Sequence, residues 1–338
     1  MRTLTVEIVD PRDEAAFGDW FSVLTAAHPV DEPAAPPPDL AGIRGGSPGP
    51  GDPYERWHLL VALARNEPVG SAKVEVSADS PHLADLRLTV RPAQRRNGVG
   101  SALLAAAESW ALAAGCAMMS SETTEWHGQP EPPGGAFAQR HGYHRGRIAP
   151  RRELAVPADL PAFAVPGYTV RTWADSCPDD LLAGRAALSR LFSVDDPGFG
   201  EHRQEEAWDT ARIRAEEERL RRQDRVALFA GAVADATGEL VAFTALGRSR
   251  AIHDHAFQQE TVVARAHRGR RLASLIKVAN LRAMAEAWPA VRRVSAFNDS
   301  SNGPMIAINS ALGFRVVATV VDWEKSILPA RRGDAPRR

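Results

Sequence analysis

Two stretches of this chain could hold an anion. Residues 86–104 read LRLTVRPAQRRNGVGSALL, and residues 261–277 read TVVARAHRGRRLASLIK. Each runs from an apolar strand pattern through a basic turn straight into a helix pattern. The first turn of a helix offers backbone N–H groups without intrahelical partners and the positive end of the helix dipole. In the first stretch Gly98 and Gly100 let the backbone approach a ligand, and Arg95 and Arg96 supply charge. A turn of that length suits a pyrophosphate. A dinucleotide site is disfavoured, because its glycine fingerprint follows a parallel first strand and this turn follows an antiparallel meander.

The elements around these turns repeat. LTVEIVD and YTVRTWA read as strands, and DEAAFGDWFSVLTAAH and LLAGRAALSRLF read as helices. WHLLVALARNEPVGSAKVEVS reads as a hairpin turning at Asn66-Glu67-Pro68, and VALFAGAVADATGELVAFTALGRS copies it. A further strand, the basic turn, a helix, a short strand, a short helix and a last strand follow in both halves, so the repeat is structural. The expected organisation is an N-terminal domain of residues 1–155, a proline-rich linker of residues 156–166 that begins to show at Pro150, and a C-terminal domain of residues 167–330. The Pro/Gly-crowded stretch from Pro29 to Pro53 is read as a mobile loop, and residues 201–225 as a solvated charged helix.

A length of 338 residues suits two domains. A content of 44% hydrophobic and 25% charged residues is that of an ordinary globular protein, and a net charge of −1 argues against nucleic acid as a partner. Cys116 and Cys177 are the only cysteines, which suggests buried free thiols and no metal site. Neither a secretory leader nor an apolar run of membrane-spanning length is recognised, so a cytoplasmic protein without a membrane partner is expected.

The run Val90-Arg-Pro-Ala-Gln-Arg95-Arg-Asn-Gly98-Val-Gly100 resembles the acyl-CoA signature V-x-P-x-x-R-x-x-G-x-G/A of the GNAT (GCN5-related N-acetyltransferase) superfamily. Nearly the whole chain is covered, as a tandem pair similar to the acetyltransferases of clavulanic acid-type antibiotic clusters and to mycothiol synthases. The resemblance implies an α/β (α+β) fold of two GNAT-type domains, each with a mixed, mostly antiparallel sheet flanked by helices. It implies acetyl-CoA or another acyl-CoA as cofactor, with no metal, and a strand that splays from its neighbour at a bulge. Leu88 and Val90 would then meet the pantetheine, and Arg95, Arg96, Asn97, Gly98, Val99, Gly100 and Ser101 the pyrophosphate. In the second copy Val262 and Val263, with Arg268, Gly269, Arg270, Arg271, Leu272 and Ala273, take those places. Arg271 stands where the first copy has Gly98, which predicts weaker coenzyme binding there.

The same resemblance separates the halves in chemistry. Transfer from a thioester to an amine needs a base, a donor to the developing oxyanion and an acid for the thiolate. Aligning Val90 with Val263 sets Glu260 opposite Arg87. A carboxylate serves as base in related transferases, whereas an arginine keeps its proton. The family's tyrosine acid is missing from both copies, which carry Ala138 and Asn309 at that position. The second copy keeps Asn298, through which a pantetheine carbonyl could be held. It also keeps Asn302, which could place the acyl group or cap a helix, and Asn309, which could reach the sulfur. Just upstream of Glu260, His253 and His255 are read as structural. The expected activity is direct acyl transfer to the amine of a small molecule in the C-terminal half, by a monomer or weak homodimer. The alternative is a catalytically weak acyl-CoA-binding protein with a structural or regulatory role.

Overall fold

The structure is a computed structural model that describes residues 4–49, 51–162, 164–196 and 202–328. The N-terminal half runs β1 (Leu4–Val9), α1 (Glu14–Asp31), α2 (Leu40–Gly45), β2 (Glu55–Ala64), β3 (Glu67–Ser77), β4 (Leu83–Val90), α3 (Val99–Ala113), β5 (Met118–Trp126), α4 (Pro133–Arg140) and β6 (His144–Ala155). The C-terminal half repeats that order as β7 (Tyr168–Ala174), α5 (Asp179–Asp195), α6 (Thr210–Arg222), β8 (Arg225–Ala234), β9 (Leu240–Ser249), β10 (His255–Val263), α7 (Leu272–Ala287), β11 (Arg293–Phe297), α8 (Gly303–Ala311) and β12 (Arg315–Ser326). Local chemistry sets many of these boundaries. Asp13, Asp39 and Asp209 accept backbone N–H groups as N-caps of α1, α2 and α6. Arg65 and Asn66, both at positive φ, turn β2 into β3.

All twelve strands form one sheet in the order β1-β2-β3-β4-β5-β12-β6-β11-β10-β9-β8-β7. Only β4 with β5 and β10 with β11 run parallel. The last strand of each repeat lies against the other repeat: β12 pairs with β5 from Ala318↔Trp126 to Ser326↔Met118, and β6 pairs with β11 from Arg293↔Ala155 to Phe297↔Arg151. The two exchanged strands also pair with each other at the centre. The cores follow the exchange. Val321 and Trp323 of β12 complete the cluster built on β3, β4 and α3, while Leu154 of β6 belongs to the cluster under α7.

Two sequence expectations are corrected. Residues 150–155 are not linker but the end of β6. Pro150 is tolerated in a central strand because it sits just beyond the last β11 pair and beside a register shift in the β6–β12 ladder. The stretch from Pro29 to Pro53 is not a free loop. α1 continues through Pro29 to Asp31, and α2 is held against the C-terminal half. Ser249 donates to Asp39 at 2.6 Å, and a Cβ on Gly45 would stand 1.8 Å from the carbonyl oxygen of Arg222, so only glycine permits α2 to touch the end of α6. The charged helix α6 itself buries Ile213 and Glu217. Among the described residues no helix is long and apolar enough to cross a membrane. Both cysteines are buried free thiols, and burial raises their pKa, that of Cys177 to about 11.

Candidate active site

The two basic turns have one geometry. In the first, a 3-10 turn at Pro92–Gln94 leads to extended Arg95, then Arg96 at φ 64° and Gly98 at φ 82°, after which α3 begins. In the second, a 3-10 turn at Arg265–His267 leads to extended Arg268, then Gly269 at φ 76° and Arg271 at φ 62°. Each turn therefore holds two left-handed residues, one glycine and one arginine, in opposite order. Arg271 adopts the conformation of Gly98, at a strain of roughly 1 kcal/mol that Arg96 bears in the other copy. The substitution of Arg271 for glycine thus leaves the backbone path of the turn intact. The first intrahelical N–H of α3 is that of Ala102, donating to Gly98 at 3.0 Å, and that of α7 is Leu275, donating to Arg271 at 3.0 Å. The amides of Val99, Gly100 and Ser101, and of Leu272, Ala273 and Ser274, form the open first turns. These cradles suit the pyrophosphate of an acyl-CoA.

Arg95 and Arg268 act on the turns themselves. Arg95 donates to the carbonyl of Val90 at 3.1 Å and forks onto Asp31 at 2.6 and 2.7 Å. Arg268 donates to Val263 at 3.0 Å and pairs with Asp195. An aspartate ending the first helix of each repeat thus pins each turn. Sequence reasoning passed over both residues, although each is the acidic last residue of its helix. Arg96, Asn97 and Ser101 are exposed around the first turn, with Ser101 hydrogen-bonded to His141 at 3.1 Å. Arg270 donates to Tyr168 at 2.7 Å, whose hydroxyl also meets His267 at 2.9 Å.

Beside each turn the sheet opens. β4 pairs with β5 only over Leu83–Leu86, and β10 pairs with β11 only over His255–Phe257. Leu88 and Val90, like Val262 and Val263, lie on the parts that have left the parallel neighbour. The halves differ in how the strand leaves. β4 keeps unbroken register with β3 from Asp85 to Val90, whereas β10 shifts register against β9 between Gln258 and Thr261. That β-bulge places Gln259 and Glu260 opposite the single residue Ala245 and releases backbone groups from the ladder.

Glu260 therefore stands on a bulge, as its counterpart Arg87 does not. Its carboxylate is half-buried, 4.0 Å from the buried guanidinium of Arg185, and lines a cleft of about 610 Å³. The cleft is shared between the halves: Tyr54 and Glu55 come from the N-terminal half, and Trp208 and Glu216 from the C-terminal. Burial raises the pKa of Glu55, with Glu75 adding to the effect. In the N-terminal half Arg87 pairs across the opening with Glu122 of β5 at 2.6 Å, in a cleft of about 550 Å³.

The asparagines divide. Asn302 caps α8, accepting the N–H of Met305 at 3.2 Å. Asn309 is fully buried and donates to Asn298 at 2.5 Å, so these two are brought together. None of the three lines the Glu260 cleft. His253 is exposed, and His255 is buried against Ser295 at 2.8 Å, where burial drives its pKa down to about 4.

Residues 20–143 match the model of the acetyltransferase (GNAT) family. Over 329 residues the chain is 27% identical to a mycothiol acetyltransferase of Stackebrandtia nassauensis, covering 96% of this chain and 100% of that one. It is 32% identical over 211 residues to a mycothiol acetyltransferase of Nocardia farcinica, 61% of each chain. Among solved structures it resembles a tandem GNAT protein from the clavulanic acid biosynthesis pathway, with 28% identity, a TM-score of 0.83 and coverage of 97% and 100%. A GCN5-related N-acetyltransferase from Sphaerobacter thermophilus shares the fold at 18% identity and a TM-score of 0.66, over 96% of each chain. Residues 20–143 carry an acetyltransferase (GNAT) domain, and the fold of the whole chain is that of a tandem GNAT protein. Its activity is that of an acetyltransferase acting on an acyl-CoA.

Proposed function

We propose that the protein moves an acetyl or other short acyl group from coenzyme A directly to the amine of a small molecule in the cleft of the C-terminal half, while the N-terminal half holds acyl-CoA without turning it over. The observation that carries this reading is the bulge at Gln258–Thr261, which bears Glu260 and has no counterpart at Arg87. The α7 amides would hold the pyrophosphate, with the pantetheine along the unpaired part of β10. A backbone N–H freed at the bulge would donate to the thioester carbonyl oxygen as negative charge develops there. Glu260 takes the ammonium proton, directly or through a water, leaving the amine lone pair free to attack. The new C–N bond forms as the C–S bond breaks, and the thiolate leaves with a proton from solvent. The likeness to mycothiol acetyltransferases and to a clavulanic acid pathway protein supports a small-molecule acceptor and a place in specialised biosynthesis, antibiotic formation included.

The test is release of coenzyme A thiol from acetyl-CoA with a panel of small amines. Glu260→Gln should lower amine-dependent release at least tenfold near neutral pH, leaving acetyl-CoA binding within about twofold. By equilibrium dialysis, Gly98→Glu should remove one acetyl-CoA site and Ala273→Glu the other, and turnover should be lost with the second. Turnover lost with Gly98→Glu and kept with Ala273→Glu would move the chemistry to the N-terminal half.

A further inference from the structure

A fully buried lysine lies beneath the bulge. Lys277 of α7 is 1% exposed and donates from Nζ to the Thr261 hydroxyl at 3.4 Å. Thr261 and Thr244 hydroxyls are 2.8 Å apart, and Thr244 donates to the carbonyl oxygen of Glu260 at 3.2 Å. Thr244 also accepts from Gln258 Nε2 at 2.9 Å. A hydroxyl has one proton to give, so the directions are fixed: Lys277 donates to Thr261, Thr261 to Thr244, and Thr244 to Glu260. The chain ends on the bulged peptide.

The other half shows what this position needs for packing alone. The repeat alignment sets Lys277 on Leu104 and Thr261 on Leu88, and the strand register sets Thr244 on Ala72. There the same place in the core is filled by three apolar side chains, and β4 has no bulge. A lysine in a protein interior is disfavoured unless something offsets its desolvation. Its presence together with the bulge, and its absence with the regular strand, ties the polar chain to the bulge.

We propose that Lys277 is a positioning residue for acyl transfer in the C-terminal half, acting through Thr261 and Thr244 to hold the carbonyl of Glu260 inward. Peptide planarity then turns the N–H of Thr261 the opposite way, away from β9, where it can donate to the thioester oxygen. The amine keeps its donor protons whether charged or neutral. Burial holds its pKa down to about 7, so both forms are accessible near neutrality. This inference rests on the reading that the C-terminal half performs the chemistry.

The test uses acetyl-CoA labelled with ¹³C at the acetyl carbonyl, in a Gly98→Glu background so that the bound signal reports the C-terminal site. A carbonyl hydrogen-bonded at the bulge should resonate away from free acetyl-CoA. Lys277→Leu, which installs the residue found at position 104, should move the bound signal back toward the free value. It should also lower amine-dependent turnover at least tenfold while keeping the KM for acetyl-CoA within about twofold. Thr261→Val should do the same without altering the lysine, which guards against a lysine variant that fails to fold. Glu260→Gln should lower turnover and leave the signal in place. A bound signal unmoved by Lys277→Leu or Thr261→Val would make the lysine purely structural and overturn the proposal. No bound signal, together with no loss of stoichiometry in Ala273→Glu, would instead overturn the C-terminal reading and this proposal with it.

Discussion

The two halves agree at the basic turn that leads into the helix and differ a few residues upstream, on the strand before it. Both turns use two left-handed residues, a backbone-directed arginine and an aspartate at the end of the first helix. Upstream, the N-terminal half has a regular strand, an Arg87–Glu122 ion pair across the opening and an apolar layer beneath. The C-terminal half has a bulge, a carboxylate facing a cleft and a threonine–lysine layer beneath. The contrast teaches that the basic turn and the strand beside it can vary independently in a duplicated domain, the turn keeping its geometry while the strand and the layer beneath it change character.

The largest effect should come from Trp323→Ala. Trp323 is encoded in the second repeat, yet it fills the core of the first and donates to Thr123 at 2.9 Å. Its loss should cost about 3–5 kcal/mol and unfold both halves in one transition, measured by denaturant titration with probes in each half. Separate transitions would show that the halves are more independent than their sheet.

Lys277→Leu should follow, with a pH signature that the apolar N-terminal layer lacks. The unfolded lysine keeps its proton up to about pH 10.5 and the folded one releases it near pH 7. The unfolded state binds more protons in that window, so wild-type stability should rise with pH from 7 to 10.5. The leucine variant should lack this rise and be the more stable protein at pH 7, by several kcal/mol at most, at ~1.4 kcal/mol per tenfold difference in proton affinity. Stability curves that run parallel across this range would refute the buried, shifted amine.

Arg87→Glu sharpens the comparison in the other direction. Placed in a Glu260→Gln background, it should restore less than a tenth of wild-type turnover, because a carboxylate on a regular strand lacks the bulge beside it. Recovery of full activity would mean that the side chain alone separates the halves.

The smallest effects belong to the turns. Gly98→Ala should cost about 1 kcal/mol, because a Cβ is strained at φ 82°. Arg271→Gly should change stability by less than about half of that, since relief of left-handed strain is offset by the greater freedom of glycine in the unfolded chain.

Much of this was legible in the sequence. The repeat, the meanders, both turns and the Glu260/Arg87 contrast follow from local pattern, and Asn302 was read as a possible cap, which it is. The exchange of β6 and β12 was not legible, because nothing local in either strand says which core it joins. The bulge was expected from family likeness in either half, and its restriction to β10 rests on one extra residue between Gln258 and Thr261 that has no composition signal. The pinning of residues 29–53 depends on contacts with Ser249 and Arg222, some 200 positions away. Lys277 looked like any other helix residue until its burial was seen.

The traded terminal strands bear on ancestry. Two identical chains that each lent a last strand to the other would form a twofold dimer with a continuous sheet, and joining them by the segment between Ala155 and Tyr168 yields the present arrangement. In such a fusion neither copy can be discarded, since each supplies a strand and core side chains to its sibling. An idle copy would then persist in the genome because the working one cannot fold without it, freeing its cleft to drift while its backbone stays under selection.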